Sequence, residues 1–166
     1  MRLFVAVWPP AGAAAAITAA LAGAPAPDRR LRWVPAERWH VTLRFFGEAD
    51  PDEAAGALAA VGAPAAEATL GPATGRFGRR VLHVPVAGLE GLASAVVAAT
   101  AGVGRPPEER PFAGHLTLAR ARDRRGVDLS PWCGLAVAAS WPVGEVTLVA
   151  SRGGAYEVVG RRPLPG

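Results

Sequence analysis

The chain has 166 residues, of which 51% are hydrophobic and 19% charged, so it can bury a core and lacks the composition of a disordered segment. This length predicts one domain over residues 1–166. All 18 basic residues are arginine, which excludes lysine-based catalysis, and a net charge of +4 suits a polyanionic partner. The single cysteine, Cys133, cannot form an internal disulfide, which predicts a reducing, cytoplasmic location.

The N-terminal segment predicts a short strand followed by a helix. Arg2 to Trp8 is apolar enough for a strand, and Ala11 to Ala22 is an alanine-rich helix entered through Pro9 and Pro10. The two prolines interrupt the apolar run and argue against a signal peptide. Because no apolar stretch reaches the roughly 18 residues of a membrane span, we predict no membrane association.

The remaining elements follow from residue alternation, from glycine and proline positions and from acidic residues at helix starts. Helices are predicted over Ala54 to Val61, entered from Asp50, and over Leu89 to Ala101. This order indicates an α+β protein with a mostly antiparallel sheet. Extended segments are predicted over Leu31 to Val34, Trp39 to Phe46, Ala66 to Thr74, Arg80 to Val86, His115 to Ala121, Leu135 to Ser140, Glu145 to Ser151 and Tyr156 to Val159.

Two of the three histidines stand in the same short pattern, 75 residues apart. His40 and His115 are each followed by threonine at the second position and leucine at the third. With seven threonines in the chain, two such matches would arise by chance about 0.5% of the time. The repeat predicts a duplicated half-molecule in which the two strands are placed symmetrically.

Alternation in a strand places each histidine on the same face as its threonine. His40 with Thr42, and His115 with Thr117, would then present an imidazole and a hydroxyl to one side and apolar residues to the core. An imidazole titrating near pH 6.5 can give or take a proton, and hydroxyls can hold an anion. Two facing pairs therefore suit in-line displacement at phosphorus.

These motifs resemble those of the 2H phosphoesterases, named for two His-x-Thr-x motifs. Within that superfamily the chain is most similar to the bacterial and archaeal RNA 2',3'-cyclic phosphodiesterases once described as 2'-5' RNA ligases. The resemblance covers nearly the whole chain and rests on the segments Arg2 to Val7, Trp39 to Glu48, Arg80 to Val84, Pro111 to Arg120 and Leu148 to Ser151.

The resemblance implies a bilobal α+β fold with pseudo-twofold symmetry, an antiparallel sheet and flanking helices in each lobe, and an active site in the central cleft. It implies hydrolysis of RNA 2',3'-cyclic phosphate ends to 2'-phosphates by a monomer without cofactor or metal. His40 would give a proton to the leaving 3' oxygen, His115 would activate water, and Thr42 and Thr117 would hold the phosphate.

The resemblance also assigns nucleotide contacts to Phe45 and Arg120, each five residues after its histidine. Strand alternation opposes this, because an odd offset points away from the cleft unless the strand ends or bulges there. Gly114 departs from the family, which usually has proline before the second histidine, so we expect a looser backbone at that point.

Other residues have simpler interpretations. His83 lacks the following threonine, so we expect it to be structural and to border the cleft. No histidine or cysteine has the paired spacing of zinc ligands, so we expect no zinc site. Packing is the default interpretation for Trp33, Trp39 and Cys133. The sequence has three arginine groups, and such groups are ordinarily solvated surface. They are Arg29, Arg30 and Arg32; Arg76, Arg79 and Arg80; and Arg120, Arg122, Arg124 and Arg125. The last group directly follows the second histidine motif and is the best candidate for an RNA-facing edge.

Alternative functions remain open at this point. The same chemistry could act on small cyclic phosphates or on 2'-5' linked oligonucleotides, and fewer basic residues around the cleft would favour the small substrates. Ligation would be the reverse reaction and a side activity. A protein that binds RNA ends without catalysis is the alternative from a different class.

Overall fold

A computed structural model of the chain describes residues 1–165. All strand pairs in this range are antiparallel, which confirms the predicted α+β class. Single turns of 3₁₀ helix occur at Ala36–Arg38 and Ser130–Trp132. In chain order the elements are β1 Arg2–Val7, α1 Ala11–Ala22, β2 Leu31–Trp33, β3 Val41–Glu48, α2 Pro51–Leu58, β4 Ala66–Leu70, β5 Gly75–Phe77, β6 Val81–Ala87, α3 Glu90–Thr100, β7 His115–Ala121, β8 Ala139–Val143, β9 Glu145–Arg152 and β10 Ala155–Pro163.

The sheet has a pseudo-twofold centre between the two histidine strands. Its order is β10-β9-β1-β3-β7-β6-β4-β8, with β2 beside β7 and β5 beside β6. β3 and β7 meet at Val41 and Leu116, and each of these residues directly follows its motif histidine. Because antiparallel strands pair here at equivalent positions, a local twofold axis passes between them. The order β1-α1-β3 is repeated as β6-α3-β7, so the predicted symmetric duplication is confirmed.

The helices cover the core face of the sheet. α1 buries Ala13 and Ile17 and contacts β8, whereas α3 buries Leu92 and Val96 at helical spacing and contacts β3. α2 begins at Asp50, whose carboxylate accepts hydrogen bonds from the amides of the first turn. Within residues 1–165 no helix combines the length and apolar character needed to span a membrane.

Some predicted bounds were wrong for local reasons. β3 begins at Val41 and not at Trp39, because Trp39 still closes the 3₁₀ turn by donating its amide to Ala36 O. The predicted strand over Ala66 to Thr74 ends at Leu70, since Gly71 has a φ of 107° and Pro72 offers no amide hydrogen. The short strand β5 that follows was not predicted.

The predicted strand over Leu135 to Ser140 is also displaced. The regular strand β8 covers Ala139–Val143, with Trp141 and Val143 buried on one face. Pro142 is tolerated there because β8 is the edge strand of the sheet. Leu135 and Val137 hydrogen-bond irregularly to the segment after Gly71 and do not form a regular strand.

Candidate active site

A cavity of about 280 Å³ opens on the face of the sheet where β3 and β7 meet. All six residues predicted for the site line it, so the structure brings both motifs and both uncertain residues together. Six further residues complete the wall. The full lining is Arg2, Phe4, Val34, Arg38, His40, Thr42, Phe45, His115, Thr117, Arg120, Ser151 and Tyr156.

Both motif histidines are anchored in the same way. The Nδ1 of His40 lies 2.8 Å from Arg38 O, and the Nδ1 of His115 lies 2.7 Å from Ala113 O, so each ring contacts the carbonyl two residues before it. A carbonyl only accepts, and we therefore assign the Nδ1–H tautomer, which leaves Nε2 as the proton acceptor of the neutral ring. The Nε2 of His40 is 3.0 Å from the hydroxyl of Thr42.

The surroundings lower the pKa of both histidines below the usual 6.5. Burial is the main cause at each ring, and backbone hydrogen bonds oppose it only in part. The Arg120 guanidinium lowers both pKa values further, and His40 also experiences the charges of His115 and Arg38. The free site thus favours neutral imidazoles, while its arginines attract an anion that would offset the repulsion.

Phe45 and Arg120 reach the cavity because both motif strands bulge. In β3 the partners of Val5 and Ala6 on β1 are Arg44 and Thr42, which leaves Leu43 as the extra residue. In β7 the partners of Leu82 and His83 on β6 are Ala119 and Thr117, which leaves Leu118 as the extra residue. The two bulges occupy equivalent positions after the histidines. Each bulge reverses the alternation after it, which is the exception under which Phe45 and Arg120 can face the cleft.

The model of the 2'-5' RNA ligase superfamily matches residues 8–155. The chain belongs to this superfamily, the 2H phosphoesterases. Membership supports hydrolase activity on phosphodiesters at RNA ends in general. A comparison with curated protein sequences finds no significant match.

Solved structures agree with this placement. TT0787 of Thermus thermophilus is 29% identical, with a TM-score of 0.77 and coverage of 100% of this chain and 99% of its own. LigT of Escherichia coli, crystallised with 3'-AMP, is 28% identical, with a TM-score of 0.75 and coverage of 99% and 98%. A structure described as a phosphoesterase is 28% identical, with a TM-score of 0.74 and the same coverage.

In this 2H phosphoesterase the ring of His40 packs into an aromatic wall that the sequence did not reveal. Phe4 stacks on it at 4.9 Å between ring centroids, and Trp8 and Tyr156 lie at 5.3 and 5.5 Å. Phe4 had an indirect signal, since it lies in the segment Arg2 to Val7 that carries part of the resemblance, and it shares a face of β1 with Arg2, which also lines the cavity. Trp8 and Tyr156 carried no local signal, because only the fold brings them to His40.

The nucleotide-contact candidate Phe45 lies between arginine side chains. The guanidinium of Arg2 is 5.2 Å from the Phe45 ring centroid and that of Arg105 is 5.6 Å away. Arginine over an aromatic ring forms a favourable cation–π contact and adds a planar surface. The Phe45 end of the cavity therefore combines positive charge with stacking area.

The third histidine, His83, lies beside His115 but outside the cavity lining. Only 7% of His83 is exposed, its ring stacks on Phe77 at 4.1 Å, and its centroid is 5.6 Å from that of His115. Burial, followed by the charge of His115, lowers the pKa of His83. His83 therefore borders the cleft, and its structural role stays a prediction.

Gly114 is required by close packing before His115. A Cβ at this position would lie 2.3 Å from Val86 O, and Val86 N donates to Gly114 O at 2.9 Å. The backbone is therefore held against β6, and the looser backbone expected from the missing proline is not what the structure shows.

The predicted packing residues take part in the core. Trp39 is buried and donates its indole N–H to Val34 O at 3.0 Å. Trp33 packs edge-to-face on Trp132, and Cys133 packs beside them against the core. No group of three or more histidine, cysteine, aspartate or glutamate side chains in residues 1–165 has an arrangement for holding a metal ion.

Proposed function

We propose that this 2H phosphoesterase hydrolyses RNA 2',3'-cyclic phosphate ends to 2'-phosphates, with His40 as the proton donor and His115 as the proton acceptor. The observation that carries the proposal is the matched anchoring of the two imidazoles across one cavity, each with its threonine. In-line displacement needs one proton-transfer group on each side of the phosphorus, and the local twofold axis supplies such a pair.

The chemistry balances with these two groups. The Nε2 of neutral His115 takes a proton from water as the water oxygen bonds to phosphorus. The bond from phosphorus to the 3' oxygen breaks, and protonated His40 gives its proton to that oxygen. The products are a 2'-phosphate and a 3'-hydroxyl, and proton exchange with solvent restores both rings. Each transfer is typically worth about 10²- to 10⁴-fold in rate.

Charge on the non-bridging oxygens is stabilised by donors that already face the cavity. Thr42 and Thr117 offer hydroxyls, and Arg38 and Arg120 offer guanidinium groups. Donors fixed before the reaction lower the barrier without reorganisation. A relative adds support, because Escherichia coli LigT has been crystallised with 3'-AMP, which is a nucleotide with a terminal phosphate, and with phosphate itself.

The first test is hydrolysis of a short RNA ending in a 2',3'-cyclic phosphate, with a chelator present. The wild-type protein should release only the 2'-phosphate isomer. His40→Ala and His115→Ala should each lower kcat/KM by about 10²- to 10⁴-fold. Thermal unfolding of each variant separates lost chemistry from lost folding. Release of the 3'-phosphate isomer would contradict the assigned direction of cleavage.

The two roles are separated by a substrate whose leaving group needs no acid. A nitrophenyl phosphodiester releases a weakly basic phenolate, so His40→Ala should lose much less activity on it than on the cyclic phosphate. His115→Ala should lose activity on both, because water still needs a base. The opposite pattern would exchange the two assignments. Turnover of small cyclic phosphates without turnover of RNA would identify a small cyclic phosphate, and not an RNA end, as the substrate class.

A further inference from the structure

Two arginine groups that are distant in sequence meet at one end of the sheet. The turn between β5 and β6 and the turn after β7 are joined by hydrogen bonds from Ala121 N to Arg80 O at 2.8 Å and from Val127 N to Arg79 O at 2.9 Å. The Nε of Arg79 also donates to Arg125 O at 3.3 Å. The joined turns carry five exposed arginines, which we call the basic patch: Arg79, Arg80, Arg122, Arg124 and Arg125.

The basic patch has little compensating charge. Two exposed carboxylates are close in sequence, and both are engaged by local donors: Asp123 accepts from Arg125 N, and Asp128 accepts from Ser130. Among the described residues no ion pair joins the patch to a carboxylate. The pKa of Asp128 is lowered mainly by the hydrogen bonds from Ser130, and the charge of Arg79 also helps to lower it. Five arginines against these two carboxylates still leave an excess of positive charge, which favours a polyanion because guanidinium forks bind phosphate oxygens.

Phe77 connects the patch to the catalytic cavity. It lies on β5, directly before the turn that carries Arg79 and Arg80, and it is 42% exposed. One face of its ring stacks on His83 at 4.1 Å, and it meets His115 at 4.8 Å in an edge-to-face contact. The opposite face is therefore the exposed one. An exposed aromatic face beside arginines is the arrangement that binds single-stranded nucleic acid by stacking and charge.

We propose that Phe77 and the basic patch bind the body of a single-stranded RNA whose cyclic end occupies the cavity. This inference rests on the proposed function and deepens it by naming the substrate class. β7 has seven residues, so six steps separate His115 from Ala121, a distance of about 20 Å at the usual rise per strand residue. A mononucleotide at His115 cannot span that distance. The arrangement therefore favours strands of several nucleotides over small cyclic phosphates.

The test compares a nucleoside 2',3'-cyclic phosphate with an RNA of about eight nucleotides carrying the same end. For single strands, each neutralised phosphate contributes about 0.7 to the slope of log affinity against log salt. Each such contact therefore lowers the affinity about 2.6-fold between 50 and 200 mM salt. A variant with Arg80→Gln, Arg122→Gln and Arg124→Gln should make the slope of log kcat/KM for the long RNA shallower by about 2. Its ratio of kcat/KM for long to short substrate should fall accordingly.

The matched control is Arg161→Gln, compared with the single change Arg124→Gln. Both remove one exposed positive charge, but Arg161 lies on β10, paired with Glu145. Only Arg124→Gln should change the salt slope. Phe77→Leu should lower the long-to-short ratio by about 5- to 150-fold, as expected for loss of one stacked base. Expressing the effect as a ratio cancels any change that Phe77→Leu causes at His115.

Failure of this inference can be distinguished from failure of the proposed function. Suppose that the wild-type protein hydrolyses both substrates and that the triple variant keeps the wild-type long-to-short ratio and salt slope. Then Phe77 and the basic patch do not bind the RNA body, but the proposed function is unaffected. If the wild-type protein hydrolyses neither substrate, the proposed function fails. Fluorescence anisotropy with the labelled long RNA then tests the patch directly: salt-dependent binding that weakens in the triple variant supports it, and unchanged binding overturns it.

Discussion

Replacing Gly114 with alanine tests whether the position of His115 depends on close packing between β6 and β7. The new Cβ would lie 2.3 Å from Val86 O, a separation that Cβ atoms essentially never show, and the obstacle is backbone. Relief requires a shift of about 1 Å at the residue that precedes His115. The same shift would disturb the 2.7 Å contact between His115 Nδ1 and Ala113 O.

We expect two measurable effects of Gly114→Ala. A displacement of about 1 Å at a reacting group typically costs about 10²-fold in rate, so kcat/KM for the cyclic phosphate should fall by about that factor. Overpacking against a fixed backbone should also lower the free energy of unfolding by about 1–3 kcal/mol. Kinetics at fixed pH and urea unfolding measure the two effects separately.

The control for this prediction is Gly91→Ala. Gly91 lies in α3, and a Cβ there meets nothing within 4 Å. Gly91 is in the first turn of α3, where alanine is at least as favourable as glycine, so this variant should be as stable as the wild type or more stable, with unchanged activity. If Gly114→Ala behaves like Gly91→Ala in both assays, the packing argument is refuted.

Three further changes are expected. Because the pKa values of His40 and His115 are both lowered from 6.5, the bell-shaped profile of kcat/KM against pH should have its optimum below pH 6.5, and an optimum above that value would contradict the paired acid and base. Asp50→Ala removes the cap of α2 and should cost about 1 kcal/mol in urea unfolding without changing kcat. Arg44 is 4% exposed and donates hydrogen bonds to backbone carbonyls after α3. Arg44→Met leaves these carbonyls without a donor and should destabilise the protein by about 1–3 kcal/mol. An unchanged urea midpoint would show that Arg44 does not stabilise this segment.

Local patterns were sufficient for much of the fold. The bounds of α1 and β7 agree with the prediction residue for residue, because prolines, glycines and alternation mark their ends. The strand β8 was predicted too early in the chain, over Leu135 to Ser140, although Trp141 and Val143 alternate. A proline such as Pro142 is unfavourable in a central strand and marks this segment as irregular. That objection fails only at a sheet edge, and edge position depends on the whole topology.

The candidate site was predictable where it depends on local sequence patterns and not where it depends on the fold. The repeated motif identifies His40 and His115, since both the residue types and their offset are visible in sequence. The wall around His40 is not visible, because Trp8 and Tyr156 reach it from segments more than 30 and 110 residues away. The bulges at Leu43 and Leu118 depend on strand pairing, which alternation along one strand cannot report.

The twofold arrangement of the strands does not explain how the two histidines take different roles. An acid and a base need opposite protonation states, yet the repeat offers two equivalent imidazoles. The difference must come from residues that do not repeat: His40 packs against three aromatic rings, whereas His115 packs against Phe77 and His83. In the free site both pKa values are lowered, so the singly protonated pair is a minor state near neutral pH. A bound phosphate anion favours that state, which couples recognition of the charged end to the supply of the proton that cleavage consumes.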